Sequence, residues 1–157
     1  MKKKIENYEQ TKDRALRLLE FRAHSEKELS DKLRRDGADP EDIEKTLDFC
    51  RRYNFVNDLQ YAKGKAKDLQ NLKKYGKRRI AAELYAKGIS SEYVEEAVSE
   101  LEFDNSESLL PLVEKKLGGD FERKSVERCI RYFIYRGYEL RDIKECIETL
   151  KEDIDEL

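Results

Sequence analysis

The sequence predicts an all-α protein of three tandem three-helix repeats, about nine short helices, in an elongated and curved arrangement. Two observations support this prediction. The first is a repeat of about fifty residues centred on Gly37, Gly88 and Gly137, which lie 51 and 49 positions apart. The second is composition, because two prolines, seven glycines and abundant Lys, Glu, Leu and Ala favour helix along almost the whole chain.

Apolar residues recur at the same distances from each of these glycines. They lie eight and four positions before it and six and ten positions after it, the spacing of two helices separated by a turn. In chain order they are Leu29, Leu33, Ile43 and Leu47; Ile80, Leu84, Val94 and Val98; Cys129, Phe133, Ile143 and Ile147. We therefore predict repeats at residues 10–56, 57–104 and 105–157, the last ending in an acidic tail.

Helix-start signals locate the elements of the first repeat. The first helix is predicted to begin within residues 4–11 and to end near Arg22. Ser25 and Glu28 have the spacing of a capping box, so the second helix should begin there. The pair Asp39–Pro40 supplies a cap followed by a proline at the first helical position, and predicts the third helix.

The later helices carry similar signals. Their predicted N-terminal caps are Asn57, Ser90, Ser108 and Ser125. Gly76 is expected to adopt a left-handed conformation before the fifth helix, and Gly118–Gly119 should end the seventh. The ninth helix is predicted to span residues 141–151, after which the acidic tail should fray.

Composition limits the class of protein. Charged residues make up 43% of the chain and apolar residues 38%, with no Trp, so small shared cores are expected. No apolar run approaches the ~20 residues that a membrane span needs, so we expect a cytoplasmic protein. Cys50, Cys129 and Cys146 occupy apolar helical positions and are predicted to be buried thiols.

The sequence contains no recognisable catalytic pattern. It has no glycine-rich phosphate loop and no Cys/His set with metal-ligand spacing. His24, the only histidine, immediately precedes a helix cap and is interpreted as a structural helix-entry residue. We therefore predict a binding protein rather than an enzyme, with no catalytic residue, metal or cofactor.

A basic segment is the sharpest functional feature. Residues 63–79 contain eight basic residues and one acidic residue, in a chain whose formal net charge is only -2. Five of these cations flank the Gly76 turn and are suited to phosphate contacts, although a solvated helix start is the alternative. The aromatic-rich residues 130–135 are either a stacking platform for bases or, as we favour, core and repeat–repeat interface.

Three motifs resemble the RecX family of regulators of the bacterial RecA recombinase. The segment Ala15–Leu33 resembles the family signature, and Val56–Ala62 is similar to its acidic-aromatic-alanine motif. Gly76–Ile89 and Arg136–Tyr138 resemble the motifs of the second and third units. The residues that carry these motifs are Ser25, Glu28, Leu29, Leu33, Gly37, Asn57, Asp58, Tyr61, Ala62, Gly76, Ile80, Leu84, Gly88 and Gly137.

The resemblance implies a cytoplasmic regulator without enzymatic activity of its own. Such a protein would bind the RecA filament on single-stranded DNA in its helical groove, as a monomer, and would inhibit ATPase, strand exchange and co-protease activity. The candidate contacts are Lys73, Lys74, Lys77, Arg78, Arg79, Arg22, Arg131 and Arg136. One alternative is a helical module that binds DNA directly through the basic segment, and another is an adaptor for an unrelated protein. A regulator that binds the RecA filament could also make weak direct contact with DNA.

Overall fold

The computed structural model describes residues 4–157, and within this range the chain forms nine α-helices and no β-strand. The helices are α1 (Tyr8–Phe21), α2 (Glu26–Arg35), α3 (Pro40–Arg52), α4 (Asp58–Asn71), α5 (Lys77–Ala86), α6 (Ser91–Ser99), α7 (Leu110–Leu117), α8 (Arg123–Tyr135) and α9 (Leu140–Asp155). The predicted all-α class is therefore confirmed. None of the helices described is both long and apolar enough to cross a bilayer.

The helices belong to two compact units. Unit 1 contains the described residues up to Lys65 together with Glu83–Ala97, and unit 2 contains Ala66–Ala82 together with Val98–Leu157. Helices α4, α5 and α6 therefore each contribute residues to both units. The functional residues discussed below lie within one unit or the other.

Each unit has its own apolar core. In unit 1, α1, α2 and α3 bury Ala15, Leu29, Leu33, Ala38, Ile43, Leu47, Cys50 and Val56. In unit 2, α7, α8 and α9 bury Leu109, Val113, Leu117, Cys129, Phe133, Tyr138, Ile143, Cys146, Ile147 and Leu150. All three cysteines are buried free thiols, as predicted.

The repeat seen in the sequence is also a repeat of local structure. Gly37, Gly88 and Gly137 have φ angles of +94°, +79° and +99°, a region that side chains disfavour and glycine tolerates. After each glycine, the next N–H donates to the carbonyl four positions before the glycine, at 3.0, 3.2 and 3.0 Å, which closes a Schellman motif. All the predicted apolar repeat positions are buried except Val98, which is half-buried beside the buried Ala97.

Most of the predicted helix starts are confirmed. Ser25 Oγ accepts from Glu28 N–H and the Glu28 carboxylate accepts from Ser25 N–H, both at 3.2 Å, which completes the capping box. Asp39, Asn57 and Ser90 each accept a hydrogen bond from a backbone N–H in the first turn of α3, α4 and α6, respectively. These caps depend on residues two or three positions apart, so local sequence is sufficient to predict them.

The predicted caps of the seventh and eighth helices are wrong. Residues 105–109 form turns because Asp104 accepts from the Ser106 N–H at 3.0 Å, so α7 begins at Leu110 and not after Ser108. Helix α8 begins at Arg123, which places Ser125 inside its first turn. The Ser125 hydroxyl donates to the Asp120 carboxylate at 2.6 Å and does not cap a helix.

The acidic tail differs from the prediction as well. Helix α9 continues to Asp155, four residues beyond the predicted end at 151. Residues 152–155 contain neither glycine nor proline, so nothing in the backbone interrupts the helix. The Glu156 N–H donates to the Glu152 carbonyl at 3.1 Å and continues the helical pattern.

Candidate functional site

The predicted basic residues gather where the start of α5 meets the end of α8, within unit 2. We call this region the basic joint, and its cations are Lys73, Lys74, Lys77, Arg78, Arg79 and Arg136. The Gly76 N–H donates to the Arg136 carbonyl at 2.9 Å, and the Arg78 N–H donates to the Gly137 carbonyl at 3.2 Å. The first turn of α5 therefore lies directly on the glycine turn that ends α8.

Backbone contact explains why Gly76 is glycine. A Cβ atom at Gly76 would lie 2.5 Å from the Gly137 carbonyl oxygen, closer than real Cβ contacts allow. The prediction of a left-handed Gly76 is wrong, because the left-handed residue at this turn is Lys74, with φ of +58°. The hydroxyl of Tyr138 donates to the Lys74 carbonyl at 2.8 Å and holds that residue in place.

Arginines and tyrosines alternate across the basic joint. The Arg79 guanidinium lies 4.8 Å from the ring centres of both Tyr75 and Tyr135. The Arg136 guanidinium lies 4.9 Å from the Tyr75 ring and 5.4 Å from the Tyr132 ring. Lys116 extends the series, since its ammonium lies 4.1 Å from the Tyr132 ring centre. These six residues form what we call the cation–aromatic ladder; each contact lies within cation–π range.

The ladder changes the interpretation of two sequence features. A solvated helix start was the alternative interpretation of the basic segment, but Arg79 is half-buried and donates to the Tyr135 carbonyl at 3.3 Å. Within residues 130–135, Phe133 belongs to the core as favoured, whereas Tyr132 and Tyr135 are 39% and 71% exposed. The aromatic-rich segment therefore contributes Phe133 to the core and the Tyr132 and Tyr135 rings to the surface beside the basic residues.

The remaining predicted contacts are more loosely held. Lys73, Lys74, Lys77 and Arg131 are exposed. Arg78 pairs with Glu139 at 2.8 Å, but both side chains are more than half exposed, so this ion pair contributes little. Arg22 belongs to unit 1, where it pairs with Glu28 at 3.0 Å, and is therefore not part of the basic joint.

Unit 1 contains an equivalent joint with a different charge pattern. There the Ser25 hydroxyl donates to the Lys87 carbonyl at 2.7 Å, beside the glycine turn that ends α5. The Lys87 ammonium lies 3.4 Å from the Glu28 carboxylate. The repeat spacing aligns Ser25 with Gly76, Glu28 with Arg79, and Lys87 with Arg136. The carboxylate of the first joint is thus an arginine in the second, which concentrates positive charge in unit 2.

Glu28 is strongly ionised in unit 1. Burial opposes its charge, but hydrogen bonds from Arg22, the Ser25 N–H and the Tyr61 hydroxyl, with the nearby Lys87, outweigh burial and lower the pKa of Glu28 to about 2. Burial and the Glu28 carboxylate raise the pKa of Tyr61, which therefore remains a hydrogen-bond donor. The Asp58 carboxylate accepts from the Glu26 N–H at 2.9 Å and supports the start of α2.

His24 has the structural position that the sequence indicates. It is buried, with Nδ1 2.9 Å from the Arg22 carbonyl and Nε2 2.8 Å from the Lys32 ammonium. Nδ1 therefore donates and Nε2 accepts, which is the neutral ring. Burial, together with the nearby Arg22 and Lys32 charges, lowers its pKa. Among the described residues, no three His, Cys, Asp or Glu side chains are grouped so that they could hold a metal ion.

Sequence reasoning did not select Tyr75, Tyr132, Tyr135 and Lys116 individually as site residues. Tyr75 adjoins Gly76, and Tyr132 and Tyr135 lie just before Gly137, so their offsets from the glycines were a usable signal. Such offsets indicate that a ring lies near a turn. They do not show that the two turns are in contact.

Comparison with known proteins identifies the family. The family model of the first three-helix domain of RecX matches residues 12–50, and that of the second three-helix domain matches residues 57–98. Regulatory protein RecX of Cronobacter sakazakii is 34% identical over 149 residues, covering 87% of this chain and 90% of that protein. Regulatory protein RecX of Vibrio parahaemolyticus is 33% identical over 145 residues, covering 91% and 93%.

Solved structures agree on the fold. The crystal structure of RecX from Lactobacillus salivarius superposes with a TM-score of 0.79 at 22% identity, covering 92% of this chain and 96% of that one. A second crystal structure, of a regulatory protein RecX, gives a TM-score of 0.77 at 19% identity, covering 90% and 71%. Helix content, fold and sequence similarity thus lead to one conclusion: this chain belongs to the RecX family of regulatory proteins.

Proposed function

We propose that this chain regulates the RecA recombinase by binding its filament on single-stranded DNA, in the helical groove, as a cytoplasmic monomer. Binding there inhibits the ATPase, strand-exchange and co-protease activities of RecA, without catalysis or a cofactor on the part of this chain. Membership of the RecX family supports the regulatory role. The observation that carries the proposed contact is the basic joint of unit 2.

The basic joint suits a surface that contains DNA phosphates and acidic side chains. Its exposed lysines carry positive charge and are attracted to a polyanion from a distance. When they contact phosphates, counterions are released from the nucleic acid, which favours binding. The cations project from a turn whose backbone is hydrogen-bonded to the end of α8, so their anchor points are already ordered. Less conformational entropy is lost on binding when the contact residues are ordered beforehand.

A second candidate function is direct binding of single-stranded DNA through the basic segment. The cation–aromatic ladder favours it, because Tyr132 and Tyr135 present partly exposed rings beside arginines. Bases stack on such rings while cations contact the backbone. The two candidates differ in the expected partner, because the first predicts preference for the filament over bare DNA.

Charge reversal at the exposed part of the joint tests the proposal. The variant is Lys73→Glu with Lys77→Glu, which leaves the half-buried Arg79 and its packing intact. Glutamate at the first position of α5 is compatible with the helix dipole, so the fold should be retained. The matched control reverses two exposed lysines of α9, Lys144→Glu with Lys151→Glu.

Each protein is titrated against RecA filament on single-stranded DNA and against the same DNA without RecA. We expect the joint variant to bind the filament at least tenfold more weakly, which requires only ~1.4 kcal/mol over two sites, and the control to match wild type. Raising the salt concentration should weaken filament binding by wild type more than filament binding by the joint variant. Equal wild-type affinity for bare DNA would favour the second candidate, and undiminished inhibition of strand exchange by the variant would remove the joint from the contact.

A further inference from the structure

A cavity of about 360 Å³ opens beside the cation–aromatic ladder in unit 2. Four cations contribute to its lining, Lys74 from the turn before α5, Lys115 and Lys116 from α7, and Arg136 from the end of α8. The volume lies at the small end of the range typical of small-molecule sites. The cavity is therefore large enough for a compact ligand and strongly positive.

The charge of this cavity is not compensated from within. No carboxylate lies among its lining residues, whereas four other cavities of the described chain each have at least one Asp or Glu in the lining. Cations brought together without a carboxylate repel each other, and a bound anion would relieve that repulsion. The lining thus favours a ligand with at least one negative group.

The rest of the lining is apolar. Leu112 is half-buried, Phe133 is 2% exposed, and the Tyr132 ring is 39% exposed. An inorganic anion would leave the exposed parts of Leu112 and Tyr132 in contact with water. A ligand that carries a flat apolar group next to its anion would cover both kinds of lining.

Two groups of the lining are ordered before any ligand binds, the guanidinium of Arg136 and the backbone of Lys74. The Arg136 guanidinium lies between the Tyr75 and Tyr132 rings and donates to the Lys73 carbonyl. Lys74 has a left-handed backbone that costs free energy for any residue other than glycine, and the Tyr138 hydroxyl stabilises it. Such strain is maintained by its surroundings and is typical of functional positions.

We propose that this cavity binds one nucleotide, with its phosphate among Lys74, Lys115 and Arg136 and its base against Leu112 and the Tyr132 ring. Lys116 covers that ring, but it is exposed and a cation–π contact at an exposed site is weak, so a base can displace it towards the phosphate. The nucleotide can be free in solution or part of a single strand. Neither source involves RecA, so the test is independent of the proposed filament binding. A nucleotide that is part of a strand would define a subsite for the second candidate function.

The test follows backbone amide shifts of the full chain by two-dimensional NMR during separate titrations with dAMP, deoxyadenosine and inorganic phosphate at constant ionic strength. We expect dAMP to shift the amides of Leu112, Lys116 and Phe133 and to bind at least tenfold more tightly than either of its parts. Lys115→Gln with Lys116→Gln should weaken dAMP binding at least tenfold. The matched control, Lys144→Gln with Lys151→Gln, removes the same charge from α9 and should bind as wild type does.

A short deoxyadenosine oligomer identifies the source of the nucleotide. If the oligomer binds more tightly than dAMP, or binds when dAMP does not, the cavity takes a nucleotide of a strand; equal affinity identifies a free nucleotide. Either result supports the proposal when the shifts fall on the cavity residues. Equal affinity for phosphate and dAMP, binding by neither dAMP nor the oligomer, or equal loss in the α7 and α9 variants would overturn it.

Discussion

The N–H of Gly76 lies 2.9 Å from the carbonyl oxygen of Arg136 and donates a hydrogen bond to it. The equivalent pair in unit 1 is Ser25 and Lys87, where a hydroxyl donates to a carbonyl at 2.7 Å. In unit 1 the start of α2 thus lies on the glycine turn that ends α5, and in unit 2 the start of α5 lies on the glycine turn that ends α8. The repeat therefore includes the contact between successive motifs as well as the helices themselves.

The first prediction concerns the close approach at Gly76. Gly76→Ala places a Cβ 2.5 Å from the Gly137 carbonyl, so the two turns must separate, and overpacking of this kind costs ~1–3 kcal/mol. Urea unfolding measures the loss. Gly64→Ala is the matched control, because Gly64 lies inside α4 and no atom of the described residues lies within 4 Å of the added Cβ. Alanine there should raise the free energy of unfolding by up to ~1 kcal/mol. An unchanged midpoint for Gly76→Ala would disprove the close contact.

The second prediction concerns the end of α5. Gly88→Val introduces a branched side chain at φ of +79° and a Cβ 2.5 Å from that of Lys27, so we expect a loss of ~1 kcal/mol or more. Thermal unfolding provides the measurement. Gly118→Val serves as the control, because Gly118 also has a positive φ, of +58°, but no atom of residues 4–157 lies within 4 Å of the added Cβ. If both variants lost the same stability, the contact with Lys27 would contribute nothing.

The third prediction concerns the acid limit of stability. The pKa of Glu28 is about 2 in the folded protein, below its ordinary value of 4.5, so its contribution is complete above pH 4.5 and is lost as pH falls towards 2. The side chain is only 11% exposed, and the difference corresponds to about 3 kcal/mol. Glu28→Gln should be less stable than wild type at pH 7, and the difference should shrink by pH 3. If the stabilities of wild type and Glu28→Gln changed in parallel from pH 7 to 3, the lowered pKa of Glu28 would be contradicted.

The fourth prediction concerns His24 at mildly acidic pH. Its folded pKa lies below the ordinary value of 6.5, because burial disfavours the charged ring, as do Arg22 and Lys32, while Glu28 acts in the opposite direction. Stability should therefore decrease as pH falls below about 6.5, since the unfolded chain binds the proton more readily. His24→Gln should remove this dependence between pH 7 and 5, measured by urea unfolding. If the free energy of unfolding of wild type did not change between pH 7 and 5, the lowered pKa of His24 would be refuted.

Much of the fold follows from local sequence. Ser25 and Glu28 are three positions apart, and Leu33 and Ala38 close their turn around Gly37, so each motif is complete within one or two helical turns. The failures were local as well. Asp104 and Asp120 accept hydrogen bonds that shift the starts of α7 and α8 away from the predicted serines.

The candidate site was only partly predictable. The sequence indicated the basic segment and its glycine turn, because charge and turn residues are visible in a short window. It did not indicate that Lys74 rather than Gly76 is left-handed, or that Arg79 is half-buried. Both depend on contact with the end of α8, about sixty positions away.

The sequence by itself therefore determined the helices, the glycine turns and the apolar faces, because each depends on residues a few positions apart. The tertiary structure decided which turns meet and what surrounds each charge. Glu28 and Arg79 occupy equivalent repeat positions, yet one is an ion-paired carboxylate and the other stacks between two tyrosines. The free energy of each charge depends on partners that are distant in the chain and close in space.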